Sequence, residues 1–203
     1  MREETAYFEE LHREWNLTPS AEAFGRLQNF VSRMLEWNAR INLTGAKSRQ
    51  ELVSEHLVDS FAMTRFLPAG CSLADVGAGG GLPGVPLAIL RPDVRLTMVE
   101  PRAKRVAFLR TVVHELALRN VEILRCRSDE LKPRSYDVSA SRATFPPAEW
   151  LEVGRDLTKP GGLILLFANE PLLAFDPASR LVDSVRYSSG SGRPRWMGSF
   201  CFT

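Results

Sequence analysis

The stretch Asp75-Val76-Gly77-Ala78-Gly79-Gly80-Gly81-Leu82-Pro83-Gly84 decides how the rest of the chain is read. It follows a predicted strand, Ser72–Val76, and opens a predicted helix, Gly84–Leu90. Five glycines in eight residues remove the side chains that would hold a ligand away from the backbone. Open α/β sheets bind ligands at the carboxyl ends of their strands, which is where this loop falls. Gly79 to Gly84 satisfies G-x-G-x-x-G, the dinucleotide fingerprint, with Glu100 placed to take a ribose hydroxyl. Asp75 points elsewhere. It precedes Gly77 by two residues and turns the motif into D-x-G-x-G-x-G through Gly81. An acid at a strand end suits a cofactor with a cationic amine and a sulfonium, and suits a pyrophosphate poorly. S-adenosylmethionine is therefore preferred to NAD. Little chain is left over for the substrate domain of a dehydrogenase.

The segments flanking the loop alternate. Predicted strands cover Arg95–Glu100, Val121–Arg125, Tyr136–Ser141 and Gly162–Ala168, with helices at Arg102–Leu118 and Ala148–Leu157. Such alternation implies an α/β fold: a parallel sheet with helices on both faces. Val182–Tyr187 and Met197–Phe202 read as an antiparallel hairpin joined by residues 188–192. Before the sheet the pattern is helical. Pro19 suits a first helical position, and Phe24, Leu27, Val31, Met34 and Leu35 recur at helical spacing. Ser48 and Glu51 have the spacing of a capping box ahead of Leu52, Leu57 and Phe61. Pro68-Ala69-Gly70 closes this region. The expected division is a helical extension, 1–70, and a ligand-binding domain, 71–203.

Composition sets the limits. A chain of 203 residues with 44% apolar and 25% charged residues is ordinary globular material. The net charge is only +2, so no polybasic tail is present. Residues 91–142 nevertheless hold 12 basic against 7 acidic groups. Of the 26 basic residues only four are lysines, and arginine's planar fork suits phosphate. Codon bias toward arginine is the plainer explanation. Cys71, Cys126 and Cys201 lie far apart with no zinc spacing, so no metal is expected and the thiols read as small core residues in a reducing compartment. The start, Met1-Arg2-Glu3-Glu4, lacks a signal peptide's apolar stretch. The longest apolar run, Leu163 to Ala168, is too short to span a bilayer. A cytoplasmic protein is expected, with no membrane partner.

A longer ordered set of residues carries a resemblance. Trp37-Asn38, Asn42-Leu43-Thr44 and His56-Leu57-Val58-Asp59-Ser60 precede the glycine loop. Val85-Pro86, Lys104-Arg105-Val106-Ala107-Phe108-Leu109 and Ser141-Arg142-Ala143 follow it. From about residue 25 to 170 the chain resembles the GidB family (glucose-inhibited division protein B), also called RsmG. Its members are bacterial methyltransferases that use S-adenosylmethionine to methylate N7 of a guanine in small-subunit (16S) ribosomal RNA. The resemblance implies a class I methyltransferase fold: a Rossmann-like doubly wound sheet with an N-terminal helical extension. It implies a monomer that acts on a small-subunit particle or precursor.

The resemblance also implies site roles. Gly77 and Leu82 would line the methionine and sulfonium side, beside Asp75, Gly79 and Gly81. Glu100 would hold the ribose, and Ser128-Asp129, at the end of the third strand, would frame the adenine. Arg142 would face the methyl-transfer site as the catalytic residue and also touch the cofactor. Members often carry Leu-Lys-Gly after the fifth strand, where this chain reads Phe167-Ala168-Asn169-Glu170. Other residues stay open. Arg102, Lys104 and Arg105 open a helix whose dipole prefers acids, so they serve either RNA phosphates or a solvated surface. Arg125 and Arg127 join them near the strand ends. Asn38, Asn42, His56 and Asp59 either cross-link helices or line the cleft. Two other functions remain: a module that binds cofactor and RNA with little methyl transfer, and an NAD-dependent oxidoreductase.

Overall fold

Seven strands form one sheet in the order β3-β2-β1-β4-β5-β7-β6. The computed structural model describes residues 14–15, 17–18, 20–172 and 178–202. The strands are β1 (Ser72–Val76), β2 (Arg95–Val99), β3 (Val121–Leu124), β4 (Tyr136–Ser141), β5 (Thr158–Ala168), β6 (Ser179–Ser188) and β7 (Pro194–Phe202). Strands β1 to β5 pair in parallel. The hairpin β6–β7 then joins the same sheet, with β7 antiparallel to β5. The expected doubly wound α/β sheet is therefore present, and the predicted hairpin extends it.

Helices cover both faces. On one lie α1 (Ala21–Asn38), α2 (residues 49–63), α3 (Gly84–Leu90) and α4 (Ala103–Glu115). On the other lies α5 (Pro147–Leu157), anchored where the Trp150 indole N–H donates to the Leu165 carbonyl (2.8 Å). The crossovers β1–α3–β2 and β4–α5–β5 leave on opposite faces, so the winding reverses between β1 and β4. Ligands bind at such a reversal, at the carboxyl edge.

The leading helices form because their apolar residues recur on one face. In α1 those are Leu27, Phe30, Val31 and Met34, all fully buried. Phe30 joins the stripe predicted from Leu27, Val31 and Met34. The Ser20 hydroxyl caps the helix by accepting from the Ala23 N–H (3.1 Å). Pro19, expected at the first helical position, lies outside the described residues. In α2 the Ser48 hydroxyl accepts from the Glu51 N–H (3.0 Å). Glu51 reaches back to the Lys47 N–H (2.8 Å), one residue earlier than a capping box requires. The helix then widens into a π-helical stretch, Leu52–Leu57, before returning to α-helix at Val58–Met63. Leu52, Leu57 and Phe61 sit in the same apolar core as Leu73, Leu96, Val138 and Leu165 of the sheet.

Some boundaries differ from expectation. Helix α4 stops at Glu115, because Ala117 turns to a positive φ of 51°. Strand β5 begins at Thr158, before the predicted Gly162, and its register with β4 shifts between Tyr136 and Val138. Among the described residues no helix is long and apolar enough to cross a membrane. Cys71 and Cys201 are buried and Cys126 half-buried, all as free thiols.

Candidate active site

The glycine loop and the segment after β4 meet at the carboxyl edge and enclose a cleft of about 330 Å³. Gly77, Gly79 and Leu82 form one wall, and Arg142, Ala143 and Thr144 the other. The loop is held open by its own chemistry. Gly77 has φ +76°, and a Cβ there would collide with the Thr144 side chain. At Gly79 an added Cβ would meet nothing nearer than 3.7 Å, so the backbone is bare to the cleft.

Glu100 is buried beside this loop, at 2% exposure. Its Oε2 accepts from the Gly79 N–H (3.0 Å) and its Oε1 from the Arg102 N–H (2.9 Å). Two main-chain donors thus fix the carboxylate. Each oxygen keeps a lone pair for a further donor. The Arg105 guanidinium lies 3.7 Å from Oε2 and also lines the cleft. Arg105 therefore belongs to the cleft wall, while Arg102 and Lys104 are exposed.

Asp75 lies beneath the loop, 1% exposed. A Cβ on Gly84 would strike its carboxylate and Met98, so only glycine lets helix α3 start this close to the strand. Its Oδ2 has no hydrogen-bond partner. Burial pushes the Asp75 carboxyl up to about 7, against the pull of the Arg142 cation. Gly81, at φ +82°, packs against Val85 and Leu109 and turns the loop into α3. Ser128 and Asp129 stand at the end of β3 in a short turn, Ser128–Glu130. Ser128 is half-buried, and Asp129 is exposed beside Arg127 (3.5 Å).

Arg142 closes the far side. Its Nη1 donates to Asp59 Oδ2 (2.8 Å) and toward the His56 carbonyl (3.4 Å). The Tyr187 hydroxyl donates to Asp59 Oδ1 (2.8 Å). Asp59, 1% exposed, thus joins α2, the segment after β4 and the hairpin. The π-helical stretch sets this up by placing His56 on the cleft wall and delivering Asp59 to Arg142. Burial, and then the Arg142 cation, holds the His56 imidazole below its usual range and therefore neutral near pH 7. Burial, then Asp59, pushes the Tyr187 hydroxyl far up, so it stays a donor. Asp59 is an ion-pair partner and His56 lines the cleft. Asn38 is a cross-link whose Oδ1 accepts from the Leu43 and Thr44 N–H groups (2.8 and 3.0 Å). Asn42 offers its carbonyl to Arg105 (3.4 Å).

The sequence reading missed Arg195 of β7, which also lines the cleft. No local motif marks it; only the docking of the hairpin brings it there. Beyond Arg142 a second cavity of about 200 Å³ adjoins the cleft, lined by Asp59, Phe167, Ala168 and Asn169 among others. Among the described residues no group of three histidine, cysteine, aspartate or glutamate side chains could hold a metal.

Known proteins are similar to this chain in sequence and in fold. The Ribosomal RNA small subunit methyltransferase G of Wolinella succinogenes is 44% identical over 73% of this chain and 76% of its own. That of Halorhodospira halophila is 36% identical over 81% of this chain and 78% of its own. Among solved structures, the O-methyltransferase from Bacillus cereus in complex with SAH superposes with a TM-score of 0.60 at 16% identity. It covers 85% of this chain and 90% of that one. A SAM-dependent methyltransferase from Aquifex aeolicus gives 0.58 at 18% identity, over 85% and 98%. These two establish the class I methyltransferase fold. Residues 24–172 match the family described as GidB, rRNA small subunit methyltransferase G, and the chain belongs to that family.

Proposed function

We propose that this chain transfers the methyl group of S-adenosylmethionine to N7 of a guanine in small-subunit ribosomal RNA. The observation that carries the reading is the adjoining pair of cavities: a glycine-walled cleft and a second cavity, with Arg142 and Ala143 lining both. One takes the cofactor, and the other receives the base. The residues present fit S-adenosylmethionine. The loop backbone is bare to the cleft at Gly79, Gly77 lies beside it against Thr144, Gly81 turns the loop into α3, and Leu82 adds an apolar contact. Glu100 is pre-aimed to accept from ribose hydroxyls. The orphaned Oδ2 of Asp75, beneath the loop, belongs to a buried acid whose charged form a cationic cofactor would favour. Ser128 and Asp129, in the turn after β3 and outside the cleft lining, would meet the adenine.

When bound, the cofactor supplies an electrophilic methyl on a cationic sulfur. Guanine N7 already carries a free lone pair, so the protein needs no general base. That accounts for a site whose one histidine, His56, is held neutral. What the chain must provide is placement, which can be worth about 7–11 kcal/mol of barrier. Arg142 is held by Asp59 and has further N–H groups to offer guanine O6 or the cofactor carboxylate. The substrate is a small-subunit particle or precursor, met by a cytoplasmic monomer. The experiment is mass analysis of small-subunit RNA from a strain lacking the gene. One N7-methylguanine should vanish and return on complementation. An unchanged level would leave a module that binds cofactor and RNA without transferring methyl groups.

A further inference from the structure

Two of the three arginines that line the cleft have carboxylate neighbours. Arg142 has Asp59 at 2.8 Å, and Arg105 has Glu100 at 3.7 Å. Arg195 differs. Its Nη2 donates to a neutral acceptor, the Glu55 main-chain carbonyl (3.3 Å). Its Nε is buried with no partner, and among the described residues no carboxylate pairs with the guanidinium. A partly desolvated cation without a counter-charge is costly to keep. Its placement adds a second observation. Arg195 lines the cleft, the second cavity and a third one of about 500 Å³ at the end of the β6–β7 pair. That third cavity also holds Asn169, Glu170, Arg186 and Trp196.

We propose that Arg195 is the anion-holding residue of a substrate subsite, and that it takes a backbone phosphate of the RNA next to the target guanine. The proposal rests on the function proposed above. The third cavity is of the size that small ligands occupy, and its chemistry favours backbone over base. Trp196 and Tyr187 are 2% and 7% exposed, so their faces are committed to packing and cannot stack on a base. The donors that line it are Asn169, the Ser188 hydroxyl and two guanidinium groups, set against the single carboxylate of Glu170. A guanidinium matches a phosphate with two parallel hydrogen bonds. Contacts of this kind set register and carry no sequence information. Arg195 is thus a positioning residue: it fixes the strand so that the next nucleotide enters the second cavity, beside Arg142. Arg186, exposed on the rim, adds a second cation along the same path.

The test is the salt dependence of binding to small-subunit particles that lack the methyl group. Wild type, Arg195→Gln, Arg195→Lys and Arg186→Gln are compared, with a cooperative urea unfolding transition as the check that each is folded. Arg195→Gln should weaken binding about tenfold or more. It should also flatten the log–log salt slope by about 0.7, the loss of one single-strand phosphate contact. Arg195→Lys keeps the charge and should restore the slope. Arg186→Gln should flatten it as well, and this exposed position gives a reading even where Arg195→Gln does not fold. Wild-type affinity and slope in a folded Arg195→Gln, or an unchanged slope in Arg186→Gln, would overturn the subsite while leaving the methyltransferase reading intact. A wild-type protein that neither binds nor methylates the particle would overturn that reading itself.

Discussion

At the scale of single residues, Asp75 carries the clearest consequence. Burial pushes its carboxyl up to about 7 in the folded chain, against 3.8 as the ordinary value. The folded state therefore holds the proton more tightly than the unfolded one. The stability this contributes is fully present below pH 3.8 and is lost as pH rises through about 7. Asp75→Asn, which copies the protonated shape, should match wild type near pH 4. It should exceed wild type by on the order of 3 kcal/mol at pH 8. Urea unfolding of both proteins across that range reads the difference, and parallel curves would contradict it. Gly77 makes a second case. Alanine there meets both the positive φ and the Thr144 side chain. Gly77→Ala should cost about 2–4 kcal/mol of stability and weaken S-adenosylhomocysteine binding. A variant with wild-type unfolding and calorimetry would show that the loop tolerates a side chain. Both residues are visible in sequence because the D-x-G-x-G-x-G spacing is local. Arg195 and the Asp59–Arg142 pair are not, because their partners are far apart along the chain and only the fold joins them.

At the scale of elements, strands β1 to β4 and helix α3 lie close to where alternation and turn residues predict them. Short strands alternating with helical patterns and bounded by Gly, Pro and Asn turn signals are easy to read. The π-helical stretch of α2 is not legible, since its apolar spacing still passes for an α-helix. Its cause is tertiary. The hairpin turn docks on it: the Gly190 N–H donates to the Ser54 carbonyl (2.9 Å) and the Ser191 N–H to Glu55 Oε1 (2.7 Å). Tyr187 completes the clasp through Asp59. Tyr187→Phe removes that donor and leaves a buried carboxylate oxygen unsatisfied. The expected cost is about 1–3 kcal/mol, seen as a lower urea midpoint with an unchanged m-value. A midpoint equal to wild type would mean that the hairpin is held by packing alone.

At the scale of the whole molecule, one apolar core joins α1 and α2 to the sheet, and the cleft lies where both meet the hairpin. Three separated stretches therefore build one site: the leading helices, the glycine loop with the β4 end, and β7. The net charge of +2 is too small to gather RNA by bulk attraction, which is why the proposed phosphate contact is a local arginine. The chain's central task, by this account, is placement of a guanine N7 against the cofactor's methyl group. The most direct test is transfer of labelled methyl from S-adenosylmethionine, by the purified protein, to small-subunit particles taken from a strain lacking the gene. Nuclease digestion and mass analysis should find the label on a single N7-methylguanine, with no label when Gly77→Ala replaces wild type. Label on another atom or another RNA, or no transfer by a protein that binds S-adenosylhomocysteine, would contradict it.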